Sequence, residues 1–353
     1  MAKAKRKAGG KRYRFSFGPW NISEGADPFG PPVRQPIAFA KKLRVYKQLG
    51  FDGVQFHDDD AVPDLNDLSP NAVLKKAARL GRVLADEGLE PEFVAPRLWE
   101  DPRTIDGAFT SNSPSCRKYA IDRALQCVDI AAELGTNNVV VWLAREGTYI
   151  REAKNARLAH DWLMTAINKM LGHNPDLHLM IEPKPNEPMD QAYVPTIGHA
   201  ISLAYLSDAP DRVGGLIETA HAKLAGLDPS DEMAFALYHK KLWSVHLNDQ
   251  NGLKFDEDRN FAAVNLREAF NQVRVLEEAG YGSNGEMVGL DVKTFRTQKQ
   301  ADSAAHLANS KRFFELMLQK VRTFNRKAEA EFIKDRNYEG LERLVIEHLL
   351  GVR

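Results

Sequence analysis

The chain has 353 residues, enough for one large core or two smaller ones, and Lys+Arg exactly offset Asp+Glu at 48 each, so the formal net charge is zero. That balance excludes a uniformly basic nucleic-acid-binding surface. No apolar run approaches the ~20 residues needed to span a bilayer, and the two cysteines, Cys116 and Cys127, have no C-x-x-C spacing. They suit a reducing cytoplasm better than a disulfide framework.

Residues 1–12 are rich in Lys, Arg, Ala and Gly and lack an apolar signal core. A short disordered, solubilising tail is the expectation, with a basic nucleic-acid or targeting patch as the competing one. From there short β-rich runs alternate with helical stretches. The expected strands are Tyr13–Gly18, Gly53–His57, Glu92–Ala95, Asn138–Trp142, His178–Glu182, Val213–Glu218, Trp243–Leu247 and Met287–Asp291. Between them, Ile121, Leu125, Val128, Ala132 and Leu134 follow a helical stripe, as do Leu266, Phe270, Val273 and Leu276. Gly50, Gly88, Gly135 and Gly280 stand where helices should end in a left-handed cap.

Eight such units favour a closed (β/α)8 TIM barrel over residues 13–322, with residues 323–353 as a short helical C-terminal extension for subunit contacts. An open doubly wound sheet is the alternative, and no G-x-G-x-x-G follows the first strand to support it.

In a barrel, chemistry sits where strands run into βα loops. Glu182, Glu218, His246 and Asp291 fall at or near the ends of strands five to eight. Carboxylates gathered there repel one another, a conflict that a divalent cation resolves. Carboxylates with an imidazole suit Mn²⁺ or Co²⁺; carboxylates alone suit Mg²⁺. Glu218 and His221 form an E-x-x-H and Asp256 and Asp258 a D-x-D. Together they offer a second metal position, the two aspartates facing one way if the chain there is extended. Either motif alone also reads as a solvated surface feature. In Glu182-Pro-Lys184-Pro, prolines hold the segment extended, so Lys184 projects beside Glu182 as a fixed cation for a carbonyl oxygen, or as a structural ion pair. His57, followed by Asp58, Asp59 and Asp60, is an acid/base candidate or a capped residue of an acidic loop. Trp20, Trp99 and Trp142 offer an apolar wall or ordinary core packing.

The segments Phe17-Gly-Pro-Trp20, Asp27-Pro-Phe-Gly30, Phe56-His-Asp-Asp-Asp60, Gly107-Ala-Phe-Thr110, Arg145-Glu-Gly147, Glu182-Pro-Lys-Pro-Asn-Glu-Pro188 and Leu247-Asn-Asp-Gln-Asn-Gly252 resemble, in order and approximate spacing, the shorter class of xylose isomerases. The resemblance runs from about residue 13 to 320. It implies two divalent metal ions and no organic cofactor: Glu182, Glu218 and Asp291 at one, Glu218, His221, Asp256 and Asp258 at the other. It implies that Lys184 meets the substrate carbonyl, that His57 oriented by Asp60 assists ring opening, that Trp20, Trp99 and Trp142 shape the pocket, and that Phe29 reaches a neighbouring subunit's site. The implied reaction is an aldose–ketose isomerisation of the D-xylose to D-xylulose type by hydride shift between C1 and C2, in a cytoplasmic homodimer or homotetramer that handles a small sugar and no nucleic acid or membrane.

Three departures stand out. His246 replaces a metal-binding Asp, as in rhamnose isomerase and the ketose 3-epimerases, and favours Mn²⁺ or Co²⁺ over Mg²⁺. Trp142-Leu-Ala-Arg-Glu146 replaces Trp-Gly-Gly-Arg-Glu, and Trp99 replaces a Phe. An epimerase, an isomerase of another aldose, or a metal-dependent sugar or cyclitol lyase is therefore the alternative activity.

Overall fold

The computed structural model describes residues 13–27 and 29–352, so the basic tail, residues 1–12, lies outside the described residues. Eight strands carry the fold: β1 (Phe15–Phe17), β2 (Gly53–His57), β3 (Glu90–Ala95), β4 (Asn138–Trp142), β5 (His178–Glu182), β6 (Val213–Glu218), β7 (Leu242–Leu247) and β8 (Val288–Leu290). They close into one parallel barrel in the order β1-β8-β7-β6-β5-β4-β3-β2. Closure is made by Phe15 against Val288 on one side of β1 and Ser16 against Gly53 on the other. Parallel neighbours need a crossover, and a helix follows every strand: α1 (Phe39–Gln48), α2 (Pro70–Glu87), α3 (Pro114–Leu134), α4 (Ala156–His173), α5 (Ile197–Leu206), α6 (Pro229–Tyr238), α7 (Leu266–Ala279) and α8 (Ala305–Thr323).

Alternation along the strands sorts two apolar layers. Val94, Val139, Val141, Leu179, Ile181, Val245 and Leu247 join the helices in one large core. Phe93, Ala95, Val140, Met180 and Leu216 form a separate cluster that fills the barrel. Helix starts follow local chemistry. Pro70, Pro114 and Pro229 occupy first-turn positions that need no N–H. The Asn155 and Asn265 side chains accept the free N–H groups of α4 and α7. The four expected capping glycines all take positive φ, from 65° at Gly88 to 107° at Gly135.

The stripe expected on α3 is rotated. Ala132 is exposed and Ile121 and Leu125 are half-buried, while Ala120, Ala124, Cys127, Ile130 and Ala131 are buried. The cause is close packing against α2, where a Cβ on Gly81 would lie 2.6 Å from the Leu134 carbonyl oxygen, so small residues of α3 fill the buried face. Leu266 likewise is exposed at the start of α7, whereas Phe270, Val273 and Leu276 are buried. A two-stranded antiparallel ribbon, Gly147–Thr148 with Gln191–Ala192, had no counterpart in the sequence reading. After α8 come α9 (Arg326–Lys334) and α10 (Tyr338–Leu350), and Leu344, Val345 and Leu349 of α10 pack on the main core.

Candidate active site

Glu182 and Glu218 are the last residues of β5 and β6, His246 is the penultimate residue of β7, and Asp291 directly follows β8. All four therefore reach the C-terminal mouth of the barrel, around a cavity of about 380 Å³. A larger cavity, about 590 Å³, opens at the opposite mouth beside Glu90, Trp243 and Tyr281. The converging titratable groups, and the habit of this fold, favour the smaller one.

Two groups of potential metal ligands share Glu218. Ligand atoms of Glu182, Glu218 and His246 lie within 4.8 Å of one another, and so do those of Glu218, His221 and Asp256. His246 Nδ1 is 3.3 Å from Glu182 Oε1 and 3.8 Å from Asp291 Oδ2. Asp291 is fixed from the other side by the Trp20 indole N–H, which donates to its Oδ1 at 2.9 Å. His221 Nε2 lies 3.2 Å from Glu218 Oε2 and 3.0 Å from Asp256 Oδ2. Its Nδ1 is 3.1 Å from the Pro183 carbonyl, which can only accept, so Nε2 is the nitrogen left to bind a cation. The Asn248 amide donates to Glu218 Oε1 at 2.8 Å.

The electrostatics are those of a crowded anionic site. Burial, then Asp256, Asp291, Asp258 and Glu182, push the Glu218 carboxyl well above its ordinary range. Burial, then Asp256 and Asp291, do the same to Asp258. Burial also acts against the charged Glu182, but His246 and His221 outweigh it and hold that carboxyl below its usual value. Burial opposes a charged Asp256 as well, yet Lys184 and His221 hold it far below. Oδ1 of Asp256 is buried without a hydrogen-bond partner. An orphaned buried carboxylate oxygen beside two carboxyls forced upward is what a divalent cation would relieve, so the residues present fit a metal.

Asp256 and Asp258 both line the cavity, but not by the extended geometry expected. Asp258 takes a left-handed φ of 46°, which turns its backbone so that its carbonyl accepts the Lys293 N–H at 2.9 Å. Lys184 Nζ is 2.9 Å from Asp256 Oδ2 and 3.3 Å from Glu187 Oε2, so its ion partners are these two and not Glu182. Burial works against the ammonium, but Asp256, Glu218 and Glu187 together hold its pKa above the usual lysine value.

His57 ends β2, and Asp60 lies one turn into the short helix Asp58–Ala61. His57 Nδ1 meets Asp60 Oδ2 at 2.8 Å. Arg97 Nη2 also comes within 2.8 Å of that nitrogen and 3.3 Å of Asp60 Oδ2. One ring nitrogen cannot both donate to Asp60 and accept from Arg97; the pairing with Asp60 is the consistent one, because Arg97 has Asp59, Asp60 and Glu100 as acceptors. The aromatic wall is continuous. The rings of Trp20 and Trp99 lie 4.5 and 5.2 Å from His57, and Trp99 meets Trp142 edge-on at 4.5 Å. Phe29 is 90 % exposed and does not line the cavity of its own chain.

The sequence alone assigns no role to Gln55 or Arg97, nor to Glu187 and Asn248, which enter there only as members of longer motifs. Gln55 had a readable signal: it lies two residues before His57 on β2, hence on the same face, as an uncharged polar residue inside an apolar strand.

Comparison with known proteins agrees with the barrel fold. A family model described as "Xylose isomerase-like TIM barrel" matches residues 43–306. The chain is 32% identical to the xylose isomerase of Thermus thermophilus, over 97% of this chain and 98% of that one. Among solved structures, an L-ribulose 3-epimerase superposes with a TM-score of 0.61 at 16% identity, covering 90% of this chain and 98% of its own. A D-tagatose 3-epimerase-like protein gives 0.62 at 16% identity, covering 87% and 99%. At such identity these two speak for the fold alone. The family match and the near full-length relative carry the assignment: the chain belongs to the xylose isomerase-like TIM barrel family.

Proposed function

We propose that this protein is a metal-dependent sugar isomerase that interconverts an aldose and its ketose, with D-xylose or a similar aldose as substrate. The observation that carries the reading is the pair of adjoining ligand groups sharing Glu218, with Lys184 beside them. Glu182, Glu218, His246 and Asp291 would hold one divalent ion, and Glu218, His221, Asp256 and Asp258 the other. Mn²⁺ and Co²⁺ suit this mixed carboxylate–imidazole set better than Mg²⁺. When bound, such ions polarise substrate oxygens and stabilise charge that develops on them.

The chain's own residues do the rest. His57, oriented by Asp60, moves a proton at the ring oxygen and opens the sugar. Lys184, held by Asp256 and Glu187, donates a hydrogen bond to the carbonyl oxygen and stabilises its growing charge. Trp20, Trp99 and Trp142 exclude water from the C1–C2 bond across which hydride passes. No organic cofactor enters. Phe29 and the α9–α10 pair are the parts offered to a second copy of the chain, in a homodimer or homotetramer, and the two free buried thiols suit a cytoplasmic setting. His246 favours a second reading, an epimerase or lyase acting on another sugar or a cyclitol.

A panel of aldoses and ketoses assayed with Mn²⁺, Co²⁺ or Mg²⁺ separates the readings. Isomerase turnover that stops with chelator and keeps the C2 hydrogen in the product supports the proposal. Turnover that survives chelation sinks it, and C3 epimerisation without aldose formation selects the second reading.

A further inference from the structure

Inside the barrel, beneath the first ligand group, a line of hydrogen bonds runs to His246. It starts at a bulge. On β2 Val54 pairs with Pro91 but Gln55 pairs with Phe93, which leaves Glu92 as the extra residue of β3. Bulges re-aim side chains, and this one turns Glu92 inward. Its carboxylate accepts from the Ser16 hydroxyl on β1, from Gln55 Nε2 at 2.9 Å and from the Ser244 hydroxyl at 2.9 Å. The Gln55 amide is thereby oriented. With its NH₂ end toward Glu92, its Oε1 faces His246 Nε2 at 3.1 Å. The opposite orientation would set an amide oxygen against a carboxylate oxygen, two acceptors with no hydrogen between them. Gly289 keeps the line open: a Cβ there would collide with Gln55 Nε2, stand 2.5 Å from the Val245 carbonyl oxygen and 3.1 Å from His246 Cδ2. Gln55 and His246 are both buried, so no water competes where the amide meets the ring; Glu92, also buried, borders the cavity at the opposite mouth.

An amide oxygen only accepts, so His246 Nε2 must carry a hydrogen in either charge state of the ring. In the neutral ring Nδ1 is then the one nitrogen with a lone pair to give, and it points into the space shared with Glu182 and Asp291. We propose that Glu92 and Gln55 are positioning residues which, through this directional line, fix the tautomer and ring orientation of His246 so that Nδ1 is presented as a metal ligand. The inference rests on the reading that Glu182, Glu218, His246 and Asp291 hold a divalent cation.

The test uses the full chain and two variants. Glu92→Gln is nearly isosteric but lets the Gln55 amide turn over; Gln55→Met removes the acceptor at similar volume. The first measurement is the ¹⁵N spectrum of histidine rings in chelated protein, with His246 assigned by its replacement. The second is Mn²⁺ affinity by titration calorimetry. At a pH high enough to leave the ring neutral, native His246 should show hydrogen on Nε2 and a bare Nδ1, and Glu92→Gln should mix the tautomers. Each variant should weaken Mn²⁺ binding about tenfold or more, as loss of an outer hydrogen-bond partner does at metal-bound histidines. The double variant should lose little beyond either single one, because both act on one line. Native protein that binds no Mn²⁺ would overturn the metal reading itself. Mn²⁺ bound with unchanged affinity by both variants, or a native ring with hydrogen on Nδ1 alone, would overturn the positioning role and leave the metal reading standing.

Discussion

Glu218 is the hinge of the electrostatic argument, and Glu218→Gln tests it. Its folded-state pKa lies well above the ordinary carboxylate value, through burial and then Asp256, Asp291, Asp258 and Glu182. A raised pKa means that the metal-free folded protein keeps a proton that the unfolded chain has released. The associated stability is complete below the unfolded value, about pH 4.3, and is lost as pH rises toward and through the folded one. Ligand oxygens of Glu218 and Asp256 lie within 4.8 Å. At an effective dielectric constant of about 20, two charges at that separation repel by about 3 kcal/mol. The hydrogen bond shared with His221 returns about half of this. The uncharged amide should then stabilise the chelated protein by about 1.5 kcal/mol at pH 7.5. For a chain of 353 residues and about 2.1 cal/mol/K of unfolding entropy per residue, that is about 2 °C in Tm. The assay is differential scanning calorimetry in chelator at pH 5 and 7.5, repeated with excess Mn²⁺. The gap between variant and native protein should widen with pH. With Mn²⁺ at about a thousand times its Kd, native protein gains about 4 kcal/mol, about 5 °C, and the variant gains far less, reversing the order. A variant that melts below native protein in chelator at pH 7.5, or that keeps the whole Mn²⁺ gain, would refute the account.

Three other outcomes are expected. Lys184→Met should lower kcat by about a hundredfold or more while Mn²⁺ affinity stays within a few-fold, since in the proposed reaction the lost group acts on the developing oxyanion; steady-state kinetics beside calorimetry checks it. His246→Asp should move the preferred activating metal from Mn²⁺ or Co²⁺ toward Mg²⁺, read from activity and affinity across the three ions. Arg123→Met should destabilise the chain by about 3–5 kcal/mol in denaturant titration, because it leaves buried Asp58 without the guanidinium that now grips both its oxygens at 2.7 and 2.8 Å.

The barrel was readable because its signals are local. Gly53–His57, Asn138–Trp142, His178–Glu182 and Val213–Glu218 form strands over the very spans expected, as β-rich runs bounded by turn residues. β1 and β8 shrink to three residues because the barrel ladder, not apolar character, sets where a strand stops. The α3 face was misread for a related reason: burial there depends on the α2 backbone at Gly81, which leaves no periodic trace. At the site, Glu182, Glu218, His246 and Asp291 could be picked out because acidic and imidazole side chains at the ends of apolar runs need an explanation, whereas Arg97 and Glu187 lie in loops without that pattern. The outer partners of those four could not. Glu92 reads as the polar start of a strand, and its inward turn depends on a bulge visible only once β2 and β3 are paired.

Those outer partners explain how a site so crowded with carboxyls stays ordered. The grip of Arg123 on Asp58 fixes the helix Asp58–Ala61 that carries Asp60 to His57. The Glu146 carboxylate accepts the N–H groups of Ala108, Phe109 and Thr110, which ties the loop after β4 to the loop after β3, where Trp99 sits. The Asn248 amide reaches back from β7 to Glu218, and its oxygen accepts from the Thr219 hydroxyl and the Ala220 N–H. Each tie joins a βα loop to the neighbouring loop or helix, so like-charged groups cannot move apart without breaking buried hydrogen bonds elsewhere. The repulsion at Glu218 is therefore held in place by the scaffold, and a cation that relieved it would act on a geometry already set.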